Sequence, residues 1–189
     1  MARVDLGVQT LMYPAPVLII GTYDKDGKPN AMNAAWGGIY DYNQVMICLS
    51  KHKTTENIRL NRCATVAFAT KKNIEASDYV GIVSQNKVPN KVEIARLHAS
   101  KASKVNAPIF EEYPLTLELE LKEVINEGQG GGNFIFDIVN VNADSSILDE
   151  NGKIDIEKVE PVFFDMVTNT YREIGPVFAK AFAIGLAVK

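Results

Sequence analysis

Short runs of β-branched and aromatic residues, separated by turn chemistry, fill the first half of the chain. Val17-Leu18-Ile19-Ile20-Gly21-Thr22-Tyr23 reads as a strand. The segment Asp24-Lys25-Asp26-Gly27-Lys28-Pro29 then supplies an Asp-Gly turn closed by proline, so the strand enters a hairpin. Residues Asn30 to Tyr42 are expected to return as the partner strand. Gln44 to Leu49 is nearly all apolar, a continuity that implies burial on both faces. At Lys53 to Asn61 the period changes: threonine precedes good helix formers, and Ile58 with Leu60 can face inward, which predicts a short helix capped by Thr54. Ala64 to Ala69 is again a strand, whereas Ile74, Tyr79, Ile82 and Val83 suit one face of a helix over 74–83 better than alternation.

From Ser84 to Tyr113 the chain is polar and interrupted by Pro89 and Pro108, with a helix at Lys91 to Ala99 as its regular candidate; it reads as an excursion packed against the sheet. Leu115-Thr116-Leu117-Glu118-Leu119-Glu120-Leu121 alternates strictly. Four leucines thus share one face of a strand, with Thr116, Glu118 and Glu120 on the other. Phe134 to Val141 is its antiparallel mate, joined through Gly128-Gln129-Gly130-Gly131-Gly132. Many short strands with hairpin turns and few helices between them predict a mainly β fold with α additions, a barrel and not a doubly wound parallel sheet.

Composition narrows this picture. With 189 residues, 47% of them apolar types, one domain can bury a full core. The formal charge of -3, from 20 basic and 23 acidic residues spread along the chain, leaves no broad cationic surface for a nucleic-acid backbone. Cys48 and Cys63 lie in apolar stretches without the paired spacing of a zinc or redox motif, and both read as reduced core residues; no metal site is expected. Met1 to Gly7 has no long apolar run ending in a small-residue cleavage site. Ile174 to Val188 is broken by Gly175, Pro176, Lys180 and Gly185 and falls short of the roughly 20 apolar residues that span a bilayer. A cytoplasmic protein with no membrane partner is the expectation.

The glycine cluster at 128–132 is not a phosphate loop. Such a loop opens a helix with G-x-G-x-x-G or Walker spacing, but here Asn133 and strand-like Phe134-Ile135-Phe136 follow, so it reads as a hairpin turn. His52 and His98 sit among lysines and small polar residues, with no zinc-protease spacing and no glycine-bracketed serine, and read as solvated surface residues. Two stretches carry more chemistry. Ser50-Lys51-His52-Lys53-Thr54-Thr55-Glu56-Asn57 puts lysines and hydroxyls at the start of a helix, where unpaired N–H groups and a partial positive charge suit a phosphate. By itself the segment reads rather better as a capped helix with solvated lysines, because Glu56 shares its first turn and opposes an anion. Asn30-Ala31-Met32-Asn33-Ala34-Ala35-Trp36-Gly37-Gly38 sets small residues beside the single tryptophan, which lets a flat ring lie against the backbone. The alternative is that Trp36 belongs to the core.

These two stretches, in this order and separated by one apolar strand, resemble the flavin reductase-like split-barrel family, which includes the flavoredoxins. The resemblance extends to Tyr13-Pro14-Ala15-Pro16-Val17, to Ser50 through Ile58 and to Val105-Asn106-Ala107-Pro108-Ile109-Phe110-Glu111-Glu112. It implies a split β-barrel of the FMN-binding, Greek-key type, with FMN at a homodimer interface. Ser50, Lys51, Lys53, Thr54, Thr55 and Asn57 would meet the phosphate, and Asn33, Ala34, Ala35 and Trp36 would border the isoalloxazine. Lys91 matches a lysine that often follows an aspartate in the family, and would approach the cofactor from the inserted helix. Two departures stand out: Asn90 precedes that lysine in place of aspartate, and Gly130-Gly131-Gly132-Asn133 occupies a hairpin that commonly carries a histidine near its turn.

The implied activity is an NADH- or NADPH-dependent flavin oxidoreductase that passes electrons to a second flavin, a metal centre or a partner protein. Hydride transfer between cofactors requires no catalytic side chain. The alternatives are a non-enzymatic FMN-binding electron-transfer protein, and another split-barrel chemistry such as a pyridoxamine phosphate oxidase-like enzyme or a haem-handling binder.

Overall fold

The expected hairpin forms in the computed structural model, which describes residues 2–188. A two-residue strand β1 (Ala15–Pro16) leads into β2 (Leu18–Tyr23), which pairs antiparallel with β3 (Pro29–Ala34) around the Asp24–Lys28 turn. There the returning strand ends. Ala35 and Trp36 break the run, and β4 (Gly37–Asp41) instead pairs with β5 (Gln44–Leu49). The helix α1 (Lys53–Asn61) follows, then β6 (Cys63–Phe68), the helix α2 (Ile74–Ile82) and the short α3 (Lys91–Ile94), which stops well before Ala99. Strands β7 (Ala99–Lys101) and β8 (Pro108–Phe110) make a small ribbon. The alternating leucines open β9 (Leu115–Gly128), whose mate β10 (Gly131–Ala143) lies across the glycine turn. The chain then adds α4 (Ile156–Val159), β11 (Val162–Asp165) and β12 (Thr170–Glu173), the last two forming a sheet with β1.

The main sheet runs β3-β2-β6-β9-β10-β5-β4, so its two edges are the halves of what reads in sequence as one strand. It nevertheless curls around a single core. Leu18, Ile20 and Met32 from one end pack with Ile47 and Leu49 from the other, and with Val66, Leu119, Phe134 and Phe136 between them. No ladder joins β3 to β4, and Gly37 is set so close to Leu18 that a Cβ there would lie 2.7 Å from its Cδ1. This is a barrel split between β3 and β4. Helix α1 contributes the fully buried Ile58, while Leu60, expected to face inward, is exposed.

A second core lies on the outside of β2, β3 and β6. Val17, Ile19, Ala31 and Ala67 meet Val80 of α2, Val92 of α3, Phe110 and Tyr113 there, which is why the 17–23 run is apolar without alternation. The polar face of β9 is also covered. Glu118 is fully buried, and it accepts hydrogen bonds from the Ser103 hydroxyl (2.9 Å), the Lys104 N–H (2.6 Å) and Asn140 (2.8 Å). Burial opposes ionisation, but these donors hold the Glu118 carboxyl below its ordinary value. The excursion at 84–113 is thereby pinned to the barrel.

Candidate functional site

The break between β3 and β4 opens a cavity of about 340 Å³. One wall is the end of β3 and its exit, Met32, Asn33, Ala34, Ala35 and Trp36; a second is the end of β5, Cys48, Leu49, Ser50 and His52. Helix α2 supplies Asp78, Gly81 and Ile82, spaced for a single helix face, and the small sheet supplies Phe164 and Tyr171. Trp36 is not a core residue: it is 54% exposed, and its carbonyl accepts from the Cys48 N–H at 2.8 Å, which fixes the backbone and leaves the ring at the rim. Cys48 is likewise exposed, contrary to the expectation of a core thiol, whereas Cys63 is buried as expected. Across Ala35, Trp36 and Cys48 lies a second, mainly apolar hollow of about 510 Å³, reaching Met12, Tyr13, Ile39 and Met166.

Helix α1 begins at the polar end of the first cavity. His52, and not Thr54, is its N-cap. The His52 N–H donates to Thr55 Oγ1 at 3.0 Å, and the Thr55 hydroxyl donates back to the His52 carbonyl at 2.8 Å. The first intrahelical backbone bond is made by the Glu56 N–H, so the preceding N–H groups of the first turn have no partner within the helix. His52 Nε2 lies 2.8 Å from Ser50 Oγ. His52 is exposed, as expected, and it also lines the site.

Glycine lets the β9–β10 turn close over this loop. A Cβ on Gly131 would lie 2.6 Å from the Leu49 carbonyl oxygen and 2.9 Å from Ser50 Cα, and Gly130 packs against the Lys51 stem. The turn reading of the glycine cluster is correct, and its glycines admit a close backbone approach beside the cavity.

Of the residues expected to hold a cofactor, the structure gathers Asn33, Ala34, Ala35, Trp36 and Ser50 along one cavity, with Lys51 and Lys53 flanking His52. It gives the remaining four other partners. Thr54, Thr55 and Asn57 are buried. Thr54 Oγ1 accepts from Asn30 Nδ2 at 2.8 Å, Asn57 Nδ2 donates to Thr22 Oγ1 at 3.1 Å, and Thr55 closes the cap. The Thr54 and Asn57 side chains dock α1 on the barrel, and Thr55 fixes its cap. Lys91 is buried too and does not line the cavity; its Nζ donates to the carbonyls of Val80 (3.0 Å) and Val83 (2.8 Å) at the end of α2. Burial lowers its pKa to about 8.

Asp78, Gly81, Ile82, Phe164 and Tyr171 lie outside both stretches that the sequence singles out. The Tyr171 hydroxyl donates to Asp78 Oδ1 at 2.6 Å across the cavity wall. Burial first, and that bond second, push the phenol up to about 12. Only the i, i+3, i+4 pattern of Asp78, Gly81 and Ile82 could have flagged α2 as a wall, and nothing local marks Tyr171.

A family model described as flavin reductase-like domain matches residues 10–162. The chain is 34% identical to the flavoredoxin of Desulfovibrio vulgaris (Miyazaki F), covering 97% of this chain and 100% of that one with a TM-score of 0.90. It is 25% identical to a flavoredoxin from Methanosarcina acetivorans, covering 98% of both with a TM-score of 0.87. An uncharacterized protein of Aeropyrum pernix is 23% identical over 132 residues, 68% of this chain and 50% of that protein, so the chain spans about half the length of this curated relative. The mainly β split barrel with α additions is the fold these likenesses share.

Proposed function

The chain belongs to the flavin reductase-like domain family, and from that premise we propose that it is an FMN-binding oxidoreductase whose flavin is reduced by NADH or NADPH. The observation that carries this reading is one cavity with two chemically different parts. Its Ser50–His52 end joins a hydroxyl and an imidazole at the start of α1 with Lys51 and Lys53 beside them, a donor set that suits a phosphate. Its Asn33–Trp36 side offers small side chains and exposed backbone edges, which suit a planar ring.

A bound flavin would supply two-electron chemistry, accepting hydride from a nicotinamide and releasing electrons one or two at a time. The protein's part is alignment and exclusion of water. Ser50, Lys51, His52 and Lys53 would hold the phosphate, the backbone and small side chains of Asn33, Ala34 and Ala35 would border the ring, and Trp36 would cover its rim. Thr54 and Asn57 serve this arrangement by fixing α1 on the barrel and Thr55 by closing its cap, so their contribution is to position the phosphate end.

We assign a homodimer on the exposed apolar surface that adjoins the site: Trp36, Ile39, Tyr40 and Tyr42 lie on or beside the open β4 edge. A second copy would cover that edge and shield the flavin. A cytoplasmic location and a flavin, metal or protein acceptor complete the reading. Anaerobic addition of NADH or NADPH to the FMN-loaded protein should bleach the flavin absorption. If neither donor bleaches it while reduction by an electron-transfer protein does, the chain is an electron carrier and not a reductase.

A further inference from the structure

The cavity also carries chemistry of the opposite polarity to its Ser50–His52 end. Among the described residues lining it, Asp78 is the single carboxylate. Its Oδ1 accepts the Tyr171 proton at 2.6 Å, which leaves Oδ2 as an acceptor together with the one lone pair of the Tyr171 oxygen that the Asn33 amide does not engage. The phenol stays protonated at neutral pH, because burial and the Asp78 bond raise it to about 12, so its one hydrogen remains committed to Asp78. Asn33, the neighbouring polar side chain, spends an amide hydrogen on the Ser77 carbonyl at 3.2 Å.

Rigid elements hold the pair in place. Gly81 brings α2 so near β3 that a Cβ there would lie 2.9 Å from Asn33 Cβ, and Asp78 sits one turn earlier on the same face. Tyr171 stands on β12, in register with Phe164 of β11. The Phe164 and Tyr171 rings also touch, with centroids 6.1 Å apart.

We propose that Asp78 and Tyr171 form an acceptor-only clamp, which takes an amide-type N–H at the edge of a planar heterocycle and turns away a carboxylate at that position. A carboxylate there would face Asp78 with no proton between them, and like charges at that range repel. An elongated ligand with an anionic group at one end and an N–H edge at the other is therefore bound in one direction, anion toward Ser50 and His52, N–H toward Asp78. Two moieties share this chemistry: the imide of a flavin and the carboxamide of a nicotinamide. The inference rests on the reading that the cavity holds a flavin nucleotide.

Two binding titrations separate the sources. The flavin-free full chain is titrated with FMN and with 3-methyl-FMN, which lacks the imide N–H. The FMN-loaded protein is titrated with NAD+ and with its nicotinic acid analogue, which carries a carboxylate in place of the carboxamide. In one arm the N–H ligand should bind at least about tenfold more tightly, as expected for a hydrogen bond to a charged acceptor, and the arm identifies the source. D78N keeps the size and the bond to Tyr171 but adds a donor and removes the charge, and should bring the preference below about threefold. Y171F removes the second acceptor, and should weaken the preference whether or not D78N folds. Equal affinity in both arms, or a preference that survives in both variants, overturns the clamp while leaving FMN binding intact. Failure to bind FMN at all overturns the cofactor reading and the clamp with it.

Discussion

Gly81 offers a sharp test of the site, because two effects of known size oppose each other there. Replacing it with alanine raises helix propensity, worth about 1 kcal/mol in favour of the variant. The new Cβ would lie 2.9 Å from Asn33 Cβ, and ordinary contact begins at 3.4 Å, so α2 must retreat from β3 by about 0.5 Å. Asn33 cannot yield easily, since its strand pairs with β2 and its amide is bonded to the Ser77 carbonyl. Overpacking of this kind costs about 1–3 kcal/mol. The steric effect therefore wins, and G81A should be destabilised by about 0–2 kcal/mol net.

The functional effect should be larger than the loss of stability suggests. Asp78 and Ile82 share the face of α2 that moves, so the cavity loses its fit to a planar ring, and the FMN dissociation constant should rise about five- to tenfold. Urea denaturation followed by circular dichroism gives the first quantity, and quenching of FMN fluorescence gives the second. A variant more stable than the parent by the full propensity gain, with unchanged FMN affinity, would refute the argument that close approach of α2 to β3 shapes the site.

Three other variants probe separate parts of the molecule. K91M leaves the carbonyls of Val80 and Val83 without a donor and should lower stability at pH 7 by about 1–3 kcal/mol, while FMN affinity, measured by fluorescence, stays within about twofold. The folded-state pKa of Lys91 is lowered from 10.5 to about 8, so between those values the unfolded chain binds the extra proton and wild-type stability should rise with pH; K91M should lack that rise in pH-dependent urea melts. Removing both Lys51 and Lys53 as alanines should weaken FMN binding about tenfold or more, and less at high salt, in the same titration. Asp165 accepts from the Tyr13 hydroxyl at 2.7 Å and from Arg172 Nε at 2.9 Å, and these bonds, Tyr13 first, hold its carboxyl well below the ordinary range. Its stabilisation is thus full above the unfolded value of 3.8 and is lost as pH falls below it toward the folded value; the difference in melting temperature between wild type and D165N should shrink on acidification from pH 5.

The sequence showed the barrel better than it showed the site. Strict alternation at Leu115–Leu121 marked β9, and the Asp-Gly turn marked the β2–β3 hairpin, because both signals are local. The resemblance implied a split barrel, but the place of the split was not legible in the residue pattern. Residues 30–42 look like one strand, but the chain changes edges at Ala35 and Trp36, and only the closing of β4 toward Leu18 reveals it. Glu118 looks like a solvent-facing residue until a loop 14 positions upstream brings its donors. Polar Thr54 and Asn57 looked available to a ligand, yet Asn30 and Thr22 claim them from β3 and β2.

The site itself divides in the same way. Its walls at 32–36 and 48–52 are contiguous stretches with a composition that can be read. Tyr171 and Asp78 are 93 residues apart, and they meet because β11 and β12 fold back beside β1 and line the cavity. Residue patterns report local geometry, and this juxtaposition is set by the order in which sheets pack.

Whether the cavity between Trp36 and His52 holds FMN is decided by an absorption and fluorescence titration of the purified full chain with FMN. Binding should saturate at one FMN per chain, with a shifted flavin spectrum, and should be much weaker when Lys51 and Lys53 are both alanine. A chain that stays colourless after FMN is added and dialysed, or that binds FMN equally well without those lysines, would contradict this assignment.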